Sequence, residues 1–159
     1  MTNEPERNPA ELEKPSKAVR IDRDELNALS GVKFDYDDTA ELAEITAIYV
    51  GRFARRSALP DFIVVDAVKQ NSDPRRTERD ARRAFVAAVE GIWRARWRKK
   101  GHGSSYKPDA EIHDGPLIRL LQYLLAAAGE KTPPSNSTLH HDLSFLYSAR
   151  ERAGRPTSI

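Results

Sequence analysis

Cysteine is absent from this 159-residue sequence, and no long hydrophobic run is present. The first absence excludes a disulfide framework, a thiolate zinc site and a cysteine nucleophile. The longest apolar segment, residues 117–128, is interrupted by Arg119 and Gln122 and is shorter than the roughly 20 residues of a membrane-spanning helix. The N-terminal residues also lack the basic start and apolar core of a secretory signal. We therefore expect a soluble, cytoplasmic protein with no membrane partner.

The composition is that of a single domain rich in polar residues. Hydrophobic residues make up 39% of the chain and charged residues 31%, which suffices for one core at a length near the commonest domain size. We find no internal repeat of the kind that builds solenoids. Three prolines and a single large aliphatic residue predict that residues 1–17 form a disordered acidic tail. The predicted helical domain spans residues 18–152, and residues 153–159 form a flexible tail.

Charge is divided unevenly along the chain, although the formal net charge is only +2. Residues 1–48 carry twelve acidic and six basic side chains, residues 49–101 carry six acidic and fourteen basic ones, and residues 102–159 balance. A basic middle segment can neutralise the phosphates of a polyanion. Alternatively, the acidic N-terminal third covers the basic middle of the same chain or of a second copy. The charges alone leave both interpretations open.

Apolar residues at helical spacing follow Asp38. Asp38 is therefore the predicted N-cap of a helix that runs from Thr39 to about Ser57. Residues 61–70 fit either a short buried helix or a strand at 62–65, and the continued spacing of apolar residues favours the helix.

The second half of the chain has clearer helix boundaries. Asp73 predicts an N-cap, Pro74 suits the first helical position, and Gly101 suits a left-handed C-cap. Residues 101–115 are expected to form a polar loop. The predicted helices of this half span residues 74–100, 116–129 and 138–152, and the helix at 116–129 is apolar on nearly all sides.

These patterns predict a mainly α protein, a single compact domain of about five helices. Residues 18–37 are ambiguous, because Val19 and Ile21 alternate with polar residues as they would in a strand. Residues 22–29 nevertheless fit two helical turns closed by Gly31. A short β-hairpin or an extended arm near residues 18–37 therefore stays open.

The predicted helix at 74–100 is rich in arginine at both ends. Cations near its C-terminus complement the helix dipole, whereas cations near its N-terminus oppose it, each by roughly 0.3–1 kcal/mol. A helix that keeps these N-terminal arginines despite their energetic cost is expected to have an anionic partner: nucleic acid, an acidic protein surface or the acidic N-terminal third of the chain. The alternative is that the arginines form a solvated helix face with local ion pairs. Trp97 either stacks on a base or packs in the core. The candidate nucleic-acid contacts are Arg75, Arg76, Arg79, Arg82, Arg83, Arg94, Arg96, Trp97, Arg98, Lys99 and Lys100.

The segment PSNSTLHHDLSFLY, residues 134–147, resembles the recognition helix of winged-helix repressors. Ser135 and Thr138 have the family's Ser–x–x–Thr spacing, and an aliphatic residue, a polar pair and Asp142–Leu143 follow. The resemblance implies that the leucines pack inward and that Thr138, His140, His141 and Ser144 face the major groove. The nine residues before this helix, with two prolines, are longer than the usual tight turn, and no room for a wing follows it.

Catalytic patterns have little support in the sequence. The histidines lack the i, i+4 spacing of the HExxH zinc motif, and the adjacent His140 and His141 point about 100° apart on a helix. A metal site that joins His113 to either of them depends on a tertiary contact. The glycines at 101–103 lack the spacing of a phosphate-binding loop. We predict no catalytic residue, no metal site and no cofactor.

The sequence thus favours a small, non-catalytic helical protein that docks a negatively charged partner, first of all nucleic acid, through its arginine-rich helix. A protein-interaction or self-assembly module is the alternative, with a homo-oligomer held by the acidic third and the basic middle. A metal-dependent hydrolase that uses His113, His140 and nearby carboxylates is the third interpretation.

Overall fold

The described part of the chain forms helices and short strands. The computed structural model describes residues 19–50, 56–59, 61–65, 78–97, 105–107, 112–130 and 132–154. Within these ranges the prediction of a mainly α single domain with about five helices is confirmed, and the predicted tail at 1–17 lies outside them. In chain order the elements are β1 (Val19–Asp22), α1 (Arg23–Ser30), α2 (Tyr36–Tyr49), β2 (Arg56–Leu59), β3 (Phe62–Val65), α3 (Glu78–Arg96), β4 (Ser105–Lys107), β5 (Ile112–Asp114), α4 (Pro116–Ala127) and α5 (Asn136–Ala153).

A three-stranded antiparallel sheet has the order β1-β3-β2. Val19 pairs with Val65 and Ile21 with Ile63, and all four side chains are buried. Successive side chains of a strand point to opposite faces, so these four residues form one apolar face. Helices α2 and α4 contact the sheet. The period-two pattern at residues 19–21 therefore corresponds to a strand, which pairs with β3 rather than forming a local hairpin.

The helix favoured at residues 61–70 is wrong where the structure describes it, because residues 62–65 form β3. A four-residue apolar run fits both structures by periodicity, and its β-branched residues favour the strand. What decides is the pairing with β1, about 40 residues away. Residues 66–70 lie outside the description.

Helix α1 agrees with its predicted limits. The Asp22 carboxylate accepts a hydrogen bond from the Glu25 backbone N–H at 3.0 Å, and Gly31 ends the helix with a φ of 68°. Its neighbour α2 begins earlier than predicted, because Asp35 is the N-cap and Asp38 is the third helical residue of a reciprocal capping box.

The predicted end of α2 near Ser57 is also wrong. The helix ends at Tyr49, and residues 56–59 form β2, which pairs with β3. Phe53 continues the helical spacing, but Gly51 directly after Val50 is the residue type that commonly ends a helix. Apolar spacing alone therefore predicts a longer helix than the one that forms.

Helix α3 buries the face that its apolar spacing predicts, including Phe85, Val89 and Trp93. Its predicted cap at Asp73 and Pro74 lies outside the described residues, and its predicted end at residues 100–101 is wrong, because α3 ends at Arg96 and Trp97 is no longer helical. The polar loop predicted at 101–115 is wrong in part, because β4 and β5 form an antiparallel pair there. Three-residue strands carry too few residues for a period-two signal to show.

Helix α4 is the central core helix, as predicted. Six of its side chains are buried, namely Leu117, Ile118, Leu120, Leu121, Leu124 and Leu125. Helix α5 extends two residues beyond the predicted start and is capped by Ser135, whose hydroxyl accepts from the Thr138 N–H. No helix among the described residues has the length and apolar character that a membrane crossing requires.

Candidate functional site

Helices α3 and α5 lie side by side and enclose two carboxylates. Asp142 of α5 is 2% exposed and Glu90 of α3 is fully buried. Asp142 lies on the same side of its helix as Leu139 and Leu143, and Glu90 follows the buried Val89. The amphipathic pattern that packs the two helices therefore also carries both acids into the contact. Buried carboxylates need cationic partners, and arginines supply them.

Asp142 binds two arginines of α3. Arg82 Nε lies 2.5 Å from Asp142 Oδ2, and its Nη2 lies 3.4 Å from Oδ1. Arg83 Nε lies 3.2 Å from the same Oδ1. The hydrogen bond to Asp142 raises the pKa of Arg82 above its usual range. Two guanidiniums share one carboxylate, so this cluster keeps a net charge of one positive unit.

Glu90 forms ion pairs with one arginine from each helix. Arg94 Nε lies 2.5 Å from Glu90 Oε1, one turn along α3. Arg150 of α5 places Nη2 2.7 Å from Glu90 Oε2. This second cluster also keeps one positive unit. Both arginine side chains reach solvent: Arg94 is 51% exposed and Arg150 is 42% exposed.

Two aromatic rings accompany these arginines. The Arg83 guanidinium lies 3.8 Å from the centre of the Phe145 ring, which is 44% exposed. The Arg94 guanidinium lies 5.3 Å from the Tyr147 ring. Cation–π contacts of this kind help to fix the arginine side chains. We call the surface formed by Arg82, Arg83, Arg94, Arg150 and Phe145 the α3–α5 arginine face.

Arg96 joins the basic middle of the chain to its acidic N-terminal third. Its Nη2 lies 2.7 Å from Asp35 Oδ2 and its Nε lies 2.8 Å from Asp38 Oδ2. Hydrogen bonding to Asp38 raises the pKa of Arg96, and the backbone hydrogen bond from Asp38 lowers that of Asp35. The intramolecular pairing considered from the sequence therefore occurs at this contact.

The other candidate residues of the predicted basic helix differ in their placement. Arg79 is exposed, with Nε 3.7 Å from Asp80 Oδ1. Trp97 packs against the core and stacks on Trp93 with ring centres 4.5 Å apart. That position agrees with the core interpretation of Trp97 rather than with base stacking. The remaining candidates, Arg75, Arg76, Arg98, Lys99 and Lys100, lie outside the described residues.

The candidate residues on α5 differ in their exposure to solvent. His141 and Ser144 are exposed, and His141 lies one turn before Phe145. Thr138 contacts the Ser135 hydroxyl at 3.0 Å as part of the helix cap. Leu139 and Leu143 are buried.

His113 of β5 and His140 of α5 stack face to face, with ring centres 3.9 Å apart. The pKa of His140 is lowered first by burial and then by electrostatic interaction with His113 and His141. Asn136 Nδ2 donates to the His113 carbonyl oxygen at 2.9 Å and fixes this junction. Within the described ranges, no group of three or more histidine and carboxylate side chains is placed to hold a metal ion.

The partners of the α3 arginines were not predicted from the sequence. They are Glu90, Asp142 and Phe145, together with Arg150, which shares Glu90 with Arg94. A signal was present, because a carboxylate inside the apolar stripe of a helix must meet a cation when the stripe is buried. Its partner on another helix could not be read from one helix alone.

The comparisons with known proteins add no relative. No family model, curated protein or solved structure matches this chain. The site is therefore interpreted from its own geometry.

Proposed function

We propose that the protein is a non-catalytic binding protein that docks single-stranded nucleic acid on the α3–α5 arginine face. The observation that carries this proposal is the ratio of two arginines to each buried carboxylate. A one-to-one ion pair would leave a neutral surface. Here each cluster keeps a net positive charge beside its neighbour on the same two helices.

The buried carboxylates also prepare the arginines for phosphate binding. A guanidinium has five N–H donors, and the hydrogen bonds of Arg82, Arg83 and Arg94 to Asp142 or Glu90 use one or two of them in each side chain. Arginines already held in one geometry lose less side-chain freedom when they bind an anion. Arg94 and Arg150, with the more exposed guanidiniums, are the first phosphate contacts on this proposal.

Phe145 favours nucleic acid over an acidic protein surface. Its exposed ring lies beside the arginines, and an exposed aromatic ring next to cations is the arrangement on which single-stranded bases stack. Every nucleotide supplies both a phosphate for the arginines and a flat base for Phe145, whereas the acidic side chains of a peptide supply only carboxylates. His141, one turn before Phe145, and Ser144 lie close enough along α5 to extend the contact.

Fluorescence anisotropy with a labelled twelve-nucleotide oligo(dT) and a duplex of equal length tests the proposal. We expect the full-length protein to bind the single strand more tightly than the duplex. Phe145→Ala should weaken single-strand binding by about fivefold or more, the range for one base–aromatic stack. Phe145→Tyr, which keeps a ring, should retain most of it.

Arg119→Gln is the matched charge control, because Arg119 is exposed on α4 and pairs with Asp114 away from this face. It removes one positive charge and should leave binding nearly unchanged. Failure of the wild-type protein to bind at low salt would overturn the proposal. Equal competition by poly-glutamate would also overturn it and would indicate an acidic protein partner.

A further inference from the structure

A second surface lies between α2 and α3, where a groove of about 220 Å³ opens to solvent. Its floor includes the stacked rings of Tyr49 and Phe85, with centres 4.7 Å apart. The walls are aliphatic and come from both helices: Ile45 and Ile48 of α2, and Ala81, Ala84 and Ala88 of α3. An apolar cavity of about 150 Å³ can hold a benzene molecule, so this groove has room for a large apolar side chain.

The groove is uncovered by the described residues. Ile48 is 59% exposed, the largest exposed fraction among the exposed large hydrophobic side chains. Ala84 and Ala88 are exposed as well. A row of alanines lets another helix approach closely, because interaxial distance depends on the side chains at the contact. The exposed Ile48, Ala84 and Ala88 side chains therefore leave the apolar groove open to a partner.

The charge around the groove indicates the chemistry of that partner. Helix α2 carries four carboxylates and no basic side chain. Glu41 and Glu44 precede Ile45 and Ile48 by one helical turn, so they continue the same wall. The rim is therefore acidic, and it complements a basic occupant.

We propose that this groove binds a basic amphipathic helix of a partner protein. An apolar side chain of that helix enters between Ile48 and Ala88, and a flanking lysine or arginine meets Glu41. The groove and the α3–α5 arginine face lie on different sides of α3, because Ala81, Ala84 and Ala88 share one side and Arg83, Glu90 and Arg94 share another. The two surfaces can be occupied together, and this proposal does not depend on nucleic-acid binding.

The probe is a labelled fourteen-residue leucine–lysine peptide with leucines at i, i+3, i+4 and i+7, titrated into the full-length protein. A peptide of the same composition with scrambled order controls for charge alone. Ala88→Arg fills the groove and adds a repelling charge at an exposed helical position, so we expect it to weaken binding about tenfold or more. Glu41→Lys should weaken it and reduce its salt dependence.

Ala126→Arg is the matched control, because it makes the same change at an exposed position of α4 and should leave peptide affinity unchanged. Thermal melting of each variant establishes that it is folded. Binding that survives Ala88→Arg, or equal binding of the scrambled peptide, would overturn the proposal. So would a concentration-dependent doubling of mass that Ala88→Arg abolishes, because the occupant would then be a second copy of this chain.

Discussion

Arg82 of α3 and Asp142 of α5 form a hydrogen-bonded ion pair across 60 residues of sequence, with Nε 2.5 Å from Oδ2. Asp142 is nearly inaccessible to solvent, and Arg83 shares it. The pair explains how α3 carries arginines in its N-terminal half, where cations oppose the helix dipole. A carboxylate from α5 offsets that repulsion, and the ion pairs also join the two helices.

Asp142→Asn should destabilise the fold strongly. The variant leaves two partly buried guanidiniums without their shared anion, and breaking a buried ion pair costs about 3–5 kcal/mol. Urea unfolding followed by circular dichroism measures the change in the free energy of unfolding.

Asp80→Asn is the matched control, because Asp80 pairs with Arg79 at the exposed start of α3. An exposed pair of this kind contributes roughly 0–1 kcal/mol. Equal, small effects of the two substitutions would contradict the structural role assigned to Asp142.

Gly31→Ala should destabilise the protein by about 1–2 kcal/mol. Gly31 has a φ of 68°, a left-handed backbone conformation that residues other than glycine adopt only at a cost in free energy. An added Cβ would also lie 3.3 Å from Trp97 Cζ3. Differential scanning calorimetry should show a lower melting temperature.

Gly91→Ala should have the opposite sign. Gly91 lies within α3 with no heavy atom within 4 Å of an added Cβ, so the substitution should stabilise the helix by about 0.5–1 kcal/mol. A gain from Gly31→Ala, or a loss from Gly91→Ala, would contradict the backbone geometry described for these positions.

Stability should fall as the pH drops below about 6.5, the ordinary pKa of histidine. The pKa of His140 is lowered in the folded state, first by burial and then by His113 and His141. The unfolded chain therefore takes up a proton at a higher pH than the folded chain does, so acidification favours unfolding. Melting temperatures measured between about pH 7.5 and 5 follow this effect.

His140→Phe keeps a ring against His113 but removes the titrating group, so it should reduce the fall in melting temperature. His141→Gln changes an exposed neighbour and should preserve most of the fall. An unchanged pH dependence in His140→Phe would mean that other groups govern it.

The helices could be predicted from the sequence where capping and apolar spacing agree. Pro116 and Gly129 delimit α4, and Asp22 and Gly31 delimit α1. Strands β1 and β3 appeared only as alternatives, because four-residue strands depend on pairing partners distant in sequence, as Ile21 does on Ile63. Apolar spacing that continued through Phe53 masked the end of α2.

The arginines of the candidate site could also be found from the sequence, but their partners could not. Local helix electrostatics identified Arg82 and Arg83 as unusual. Asp142 is the residue that holds them, and it lies on a helix about 60 residues away. Only the packing of α5 on α3 determines which carboxylate meets which guanidinium.

The most direct test of nucleic-acid binding on the α3–α5 arginine face is the salt dependence of single-strand affinity in wild type and Arg150→Gln. Arg94 remains on Glu90 in this variant, so the buried carboxylate keeps a cation. We expect the logarithm of the association constant to fall steeply with the logarithm of the salt concentration in wild type. In Arg150→Gln the slope should be smaller by about 1, the change for the loss of one phosphate contact. Identical slopes, or no binding by either protein, would contradict the proposed interface.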